Sequence, residues 1–279
     1  MSIYIVTDST SDLPLDIITK YNITTIPCFV NINGESYLDG VEISRKEFYE
    51  QLPNAVQAPT TSAPGPGVFH ETYKTLIEQG ATAIFSIHIT QKFSNICNVA
   101  RLAAEEIHDI PIHVIDSGNL SMAEGLVALA AAQAAQSGAS EEEVLHIVEK
   151  AIVEANAFAK LDTVDFLQRS GRLSNIQHSI ISLLDIKPIL RMNNHLAKME
   201  IVRTRKKAFN RILEMAKQMA PQSVLFGISH ANVPEQVEEL IQQLKQAIPD
   251  LVEPMVSEVT PALGTHVGPG ALCLNWLPK

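Results

Sequence analysis

The first half of the chain alternates short unbroken apolar runs with stretches of helical period. The runs are residues 3–7, 24–30, 81–89 and 112–115. Continuous apolar character bounded by turn residues marks strands buried on both faces, so this half predicts a largely parallel sheet flanked by helices. Two helix starts carry capping boxes, Ser44-Arg-Lys-Glu47 and Ser140-Glu-Glu-Glu143. In each, hydroxyl and carboxylate reciprocally satisfy N–H groups that the helix leaves unpaired. An Ala-rich helix is expected between Asn119 and Gly138, interrupted by Gly125. Small side chains there permit close approach of another backbone or of a ligand, and close packing is the commoner reason for them.

Around Ala155 the pattern changes, which divides the chain into an N-terminal α/β domain (1–154) and a C-terminal α+β domain (155–279). Residues 186–192 and 197–203 read as strands joined through Asn193-Asn-His-Leu196, a hairpin signal. A helix over 204–219, a strand over 223–229, a helix over 234–247 and strands over 251–260 and 271–277 follow. Adjacent strands punctuated by helices predict a mixed or antiparallel sheet.

Composition narrows the class. Hydrophobic residues at 46% and charged residues at 19% suit a folded globule. With 21 basic against 31 acidic residues, the net charge of −10 argues against nucleic acid and against electrostatic docking to anionic lipid. Cys28, Cys97 and Cys273 lie too far apart to read as a disulfide framework or a thiolate metal site, which makes a reducing cytoplasm the expected compartment. Residues 1–7 show no basic region or cleavage site of a leader. The longest apolar stretch, 125–135, falls short of the ~20 residues a membrane span needs.

Candidate chemistry gathers where strands end. The first run leads into Asp8-Ser-Thr-Ser-Asp12, the third into Thr90-Gln-Lys-Phe-Ser94 and the fourth into Asp116-Ser-Gly-Asn119. Singly, such residues are turn and N-cap formers. Their recurrence at successive strand ends points to the crevice where open parallel sheets bind ligands. Pro59-Thr-Thr-Ser-Ala-Pro-Gly-Pro-Gly67 can hold hydroxyls on a rigid loop, or simply lead into the next helix. Arg169-Ser-Gly-Arg172 and Thr265-His266 complete the candidates.

In order and spacing, these segments resemble the DegV family of bacterial fatty-acid-binding proteins. The resemblance also draws on Ser121-Met122, Phe166-Leu-Gln-Arg-Ser-Gly-Arg172, Ile186-Lys-Pro-Ile-Leu190, Arg203-Thr-Arg-Lys-Lys-Ala208 and Gly264-Thr-His with Gly268-Pro-Gly-Ala-Leu272. The chain departs from the family pattern at Ala63, Asn95-Ile96, Ser170 and Cys273. The resemblance implies a two-domain α/β fold holding one long-chain fatty acid, such as palmitate, stearate or oleate, between the domains. It further implies that the protein, without catalysis or cofactor of its own, presents the acid to a dihydroxyacetone-kinase-like fatty acid kinase. The resulting acyl-phosphate would feed phospholipid synthesis. By matching motif, Thr61 and Ser94 are expected to hold the carboxylate, with His266, Arg169 or Arg172, Thr60 and Ser62 as a supporting polar network. Arg203, Arg205, Lys206 and Lys207, the densest basic cluster, read either as solvated surface or as a docking face for an acidic partner or transient membrane contact.

The rival reading is a serine hydrolase. Gly227-Ile-Ser-His-Ala231 approaches the Gly-x-Ser-x-Gly nucleophile elbow, with Ser229 at the expected strand-to-helix turn, but the last Gly is missing. Dinucleotide, phosphate-loop and His-Glu-x-x-His motifs are not found, and no metal site is expected.

Overall fold

The N-terminal half runs through β1 (Ile3–Asp8), α1 (Leu15–Lys20), β2 (Thr24–Ile26), β3 (Phe29–Ile32), β4 (Glu35–Leu38), α2 (Arg45–Gln51), β5 (Thr60–Ser62), α3 (Pro66–Glu78), β6 (Ala83–His88), α4 (Ile96–Ala104), β7 (Ile112–Asp116), α5 (Ser121–Gln136) and α6 (Glu141–Glu154). These elements come from a computed structural model that describes residues 2–176 and 186–279. Four parallel strands form the first sheet in the order β2-β1-β6-β7. Alternation along each strand sends residues to both faces. Ile5, Phe85 and Ile87 pack with Leu126 and Leu129 of α5, while Val6 and Ile84 pack with Phe69 and Tyr73 of α3. Both faces are thus covered, as the unbroken apolar runs predicted.

Both capping boxes form, at Ser44 and Ser140. Gly125 also has its reason. A Cβ there would lie 2.5 Å from the Ser11 carbonyl oxygen and 2.7 Å from Leu13 Cγ, so only glycine lets α5 rest against the turn after β1.

The expected single strand over 24–30 is instead two strands in two sheets. Pro27 has no N–H to give a ladder, and the Cys28 N–H bonds the Ser9 hydroxyl at 3.1 Å. The chain therefore leaves the parallel sheet after Ile26. From Phe29 it builds a small antiparallel sheet, β4-β3-β5, in which Val30 pairs Thr61.

The C-terminal half comprises β8 (Asn156–Lys160), α7 (Asp165–Arg169), β9 (Lys187–Asn193), β10 (Leu196–Val202), α8 (Arg205–Met219), β11 (Ser223–His230), α9 (Pro234–Ala247), β12 (Met255–Glu258), α10 (Pro261–Val267) and β13 (Leu272–Pro278). Its six strands run β10-β9-β8-β13-β11-β12, antiparallel except for β11 with β12. The predicted hairpin is present. Asn193 pairs Leu196 across a two-residue turn whose Asn194 and His195 both have positive φ, 41° and 63°. The strand expected over 251–260 is shorter because Pro254 and Pro261 bracket it.

One face of this sheet presents Phe158, Leu272, Leu274 and Trp276 to Ile212 of α8 and Leu240 of α9. The other face carries Ala157, Ala159 and Cys273. Part of it takes α5, where a Cβ on Gly227 would lie 2.0 Å from Met122 Sδ. Among the described residues no helix is long and apolar enough to cross a membrane.

Candidate functional site

A cavity of about 560 Å3 opens where the three sheets meet. Its walls are apolar over most of their extent: Ile89 just after β6, Ile96 at the start of α4, Ala157, Ala159 and Met192 from the second sheet, and Leu263 from α10. Alternation on β8 supplies the two alanines, whose small side chains leave room that Phe158, facing the other way, would fill.

One region of the wall is polar and is assembled from distant parts of the chain. Thr61, Ser62, Ser94, Arg172 and His266 all line the cavity. Thr61 Oγ1 lies 2.9 Å from His266 Nε2, a contact spanning 205 residues. The His266 Nδ1 atom is buried and, among the described residues, has no hydrogen-bond partner. Burial, reinforced by the Arg172 guanidinium, pushes the His266 pKa down to about 4, so the ring is neutral at physiological pH. Ser94 Oγ accepts the Ile96 N–H at 3.3 Å as α4 begins, and its own hydrogen finds no acceptor among the described residues. The arrangement offers hydroxyl hydrogens, one guanidinium and a neutral imidazole to an oxygen-rich group.

The remaining candidates lie elsewhere. Thr60, its neighbour Thr61 having turned inward, is exposed and accepts from Asn31 Nδ2 at 3.2 Å. Arg169, in the last turn of α7, is exposed and does not line the cavity. Arg203, Arg205, Lys206 and Lys207 are exposed at the start of α8. Arg205 pairs with Asp162 at 2.9 Å, which offsets part of the unfavourable meeting of cations with the positive helix end.

Ser229 is not on an elbow turn. It sits inside β11, fully buried, bonded to the Ser121 and Asn275 side chains with no histidine partner. The Gly-x-Ser segment thus lies within a regular strand. A Ser-His-Asp chain does exist, unforeseen in the sequence, at Ser86, His88 and Asp8. Ser86 Oγ is 2.6 Å from His88 Nε2, and His88 Nδ1 is 3.0 Å from Asp8 Oδ2. All three are fully buried, Tyr73 donates to Ser86 Oγ at 2.7 Å, and neither Ser86 nor His88 lines the cavity. This constellation braces the ends of β1 and β6 and has no open face for a substrate.

Further acids lie beside it. Burial raises the Asp12 pKa to about 6 and the Asp39 pKa to about 7. Both reach into the second half of the chain: Asp12 Oδ1 accepts from Thr260 N at 2.9 Å and Asp39 Oδ2 from Ala262 N at 3.3 Å. A folded-state pKa above the unfolded one favours folding fully only below the unfolded value, and the contribution is lost as pH rises through the folded value. For Asp39 that loss falls between about pH 4 and 7 and amounts to at most about 4 kcal/mol. Asp39→Asn should therefore gain stability relative to the parent as pH rises from 5 to 8 in urea unfolding series. Parallel curves for the two proteins would contradict it.

The model of the family described as "Uncharacterised protein, DegV family" matches residues 2–279. The chain belongs to the DegV family. Protein DegV of Bacillus subtilis is 34% identical over 283 residues, spanning 100% of both chains. A DegV domain-containing protein of Listeria innocua is 37% identical over 281 residues, 99% of each. The crystal structure of Bacillus subtilis DegV, a fatty acid binding protein, superposes with a TM-score of 0.90 over 100% of both chains at 34% identity. A stearic acid-binding protein from Eubacterium ventriosum gives a TM-score of 0.89 at 25% identity, covering 99% of this chain and 98% of the other. The mixed α/β architecture, with a helix-flanked parallel sheet and a separate C-terminal sheet, is therefore the DegV fold.

Proposed function

We propose that this chain binds one long-chain fatty acid in the cavity, acyl chain against the apolar walls and carboxylate on Thr61 and Ser94. The observation that carries this reading is the pairing of a largely apolar cavity with one polar region whose Ser94 hydrogen is uncommitted. Fatty-acid binding by the Bacillus subtilis and Eubacterium ventriosum relatives supports it. When the His266 Nε2–H donates to Thr61, the Thr61 hydrogen too is free for a carboxylate oxygen. Arg172 and Ser62 complete the surroundings, whereas Thr60 and Arg169 act at most from outside.

Hydroxyl donors hold an anion without neutralising it, so an oxygen keeps the nucleophilicity needed to attack a nucleoside triphosphate. This suits a non-catalytic cytoplasmic carrier, divided at residues 154 and 155, that presents its ligand to a dihydroxyacetone-kinase-like kinase for acyl-phosphate formation. Burying ~14 methylenes at ~0.8 kcal/mol each supplies about 11 kcal/mol, from which association costs are subtracted. Submicromolar, weakly salt-dependent binding is expected. Lipid extracts of the folded protein should contain fatty acid, and added palmitate or oleate should raise Tm. Extracts without fatty acid, together with an unmoved Tm, would end the carrier reading.

The basic start of α8 is the docking face in this proposal. Because Arg205 is engaged by Asp162, Lys206 and Lys207 are the better probes. Lys206→Glu with Lys207→Glu should slow association with the kinase at low salt and flatten its salt dependence. Unchanged association rates would leave the cluster as solvated surface.

A further inference from the structure

Two more hydroxyl-bearing residues line the cavity, and they differ from Thr61 and Ser94 in what they can offer. Thr10, after β1, is 5% exposed, and Ser121, opening α5, is 3% exposed. Neither bonds to Thr61, Ser94, Arg172 or His266.

The hydrogen of each is committed away from the cavity. Thr10 Oγ1 donates to Asp8 Oδ1 at 2.5 Å, and the Thr10 backbone N–H reaches the same oxygen at 3.0 Å. Burial acts to raise the Asp8 pKa, but the His88, Thr10 and Ile89 donors outweigh it and the net shift is downward, so Asp8 is the acceptor. Thr10 Oγ1 also lies 3.2 Å from Glu124 Oε2. A hydroxyl has one hydrogen. With that hydrogen on Asp8, Thr10 has none left for Glu124, whose pKa burial and the nearby Asp8 hold well above the usual range. Ser121 repeats the pattern: Oγ donates to Asp12 Oδ2 at 2.6 Å, so in its 2.9 Å contact with Ser229 the donor is Ser229. Each oxygen has then given its hydrogen and can act toward the cavity only as an acceptor.

We propose that Thr10 and Ser121 form an acceptor-only subsite in the cavity, which takes a hydroxyl group carried on the acyl chain of the ligand. The subsite rests on the fatty-acid reading above and adds the substrate class to it: long-chain acids bearing a chain hydroxyl. A hydroxyl donates into the free lone pairs. A ketone or a carboxylate has only lone pairs to present there, and a carboxylate also meets the Asp8 and Asp12 charges behind the two hydroxyls. The same arrangement fixes the sense of binding, because the carboxylate is refused at Thr10 and Ser121 and accepted at Thr61 and Ser94.

The test compares ligands on the unaltered full chain, delipidated and held at pH 8, above the Asp12 pKa of about 6. Kd is measured for stearate and for octadecanoic acids with a hydroxyl or an oxo group at matching positions along the chain. At one or more positions the hydroxy acid should bind roughly tenfold more tightly than its oxo counterpart, the discrimination of one hydrogen bond made against one denied. Ser121→Ala should reduce that ratio severalfold. Equal affinities for hydroxy and oxo acids at every position would overturn the subsite while stearate binding still stood. Failure of stearate and all the other acids to bind would instead overturn the carrier reading. Since the hydroxy-to-oxo ratio is read on the parent protein, a poorly folding variant does not decide the outcome.

Discussion

Asp8→Ala is expected to destabilise the protein by about 3–5 kcal/mol, the range for stripping one partner from a fully buried charged network. Asp8 is fully buried at the end of β1, where its two oxygens receive His88 Nδ1 at 3.0 Å, Ile89 N at 3.2 Å, Thr10 N at 3.0 Å and Thr10 Oγ1 at 2.5 Å. Tyr73 donates to Ser86, which frees the Ser86 hydrogen for His88 Nε2 and leaves Nδ1–H to Asp8. Removing the carboxylate orphans several donors at once in a place water does not reach. Asp8→Asn is no repair, since its NH2 would face a donor. Ser86→Ala should cost less, about 1–3 kcal/mol, because it orphans the Tyr73 hydroxyl and His88 Nε2 but leaves the charged Asp8 contacts intact. Urea unfolding of the three variants decides the matter, and a loss below about 1 kcal/mol for Asp8→Ala would mean that Asp8 and its partners relax independently.

The features legible in the sequence are those whose causes are local. A capping box needs four residues and the β9–β10 hairpin two turn residues, whereas the close approach at Gly125 depends on Ser11 and Leu13, far away in the chain. The small sheet was illegible because it depends on pairing Val30 with Thr61 and on Pro27 ejecting the chain from the parallel sheet. Thr60-Thr-Ser62 reads as loop in isolation, and only β3 makes it a strand. The polar region of the cavity lay further from reach, since Thr61 and His266 meet across 205 residues. Their selection came from the family resemblance, not from spacing. The Ser86–His88–Asp8 chain had a partial signal in the Ser-x-His alternation of β6, which puts both side chains on one face of the strand. The same alternation misled at Gly227-Ile-Ser229, where strand residues imitate an elbow.

Thr61→Val with Ser94→Ala should nearly abolish fatty-acid retention while the fold survives. Each hydroxyl hydrogen given to a carboxylate is worth about 1.5–3 kcal/mol, or roughly tenfold to a hundredfold in Kd. Val keeps the volume of Thr61, and Ser94 is only half-buried, so neither change opens a cavity; the bonds lost within the protein are that of Thr61 with His266 Nε2 and that of Ser94 with the Ile96 N–H. The pair should fall short of strict additivity, because two donors on one carboxylate share its charge. Thr61→Ser, which keeps the hydroxyl, should recover most of the affinity lost in Thr61→Val. The measurements are Kd for palmitate and oleate, with circular dichroism as the check on folding. Parental affinity in both single variants would move the carboxylate away from these residues. A loss in Thr61→Val that Thr61→Ser does not recover would point to the wall's shape, rather than the hydrogen bond, as the source of binding.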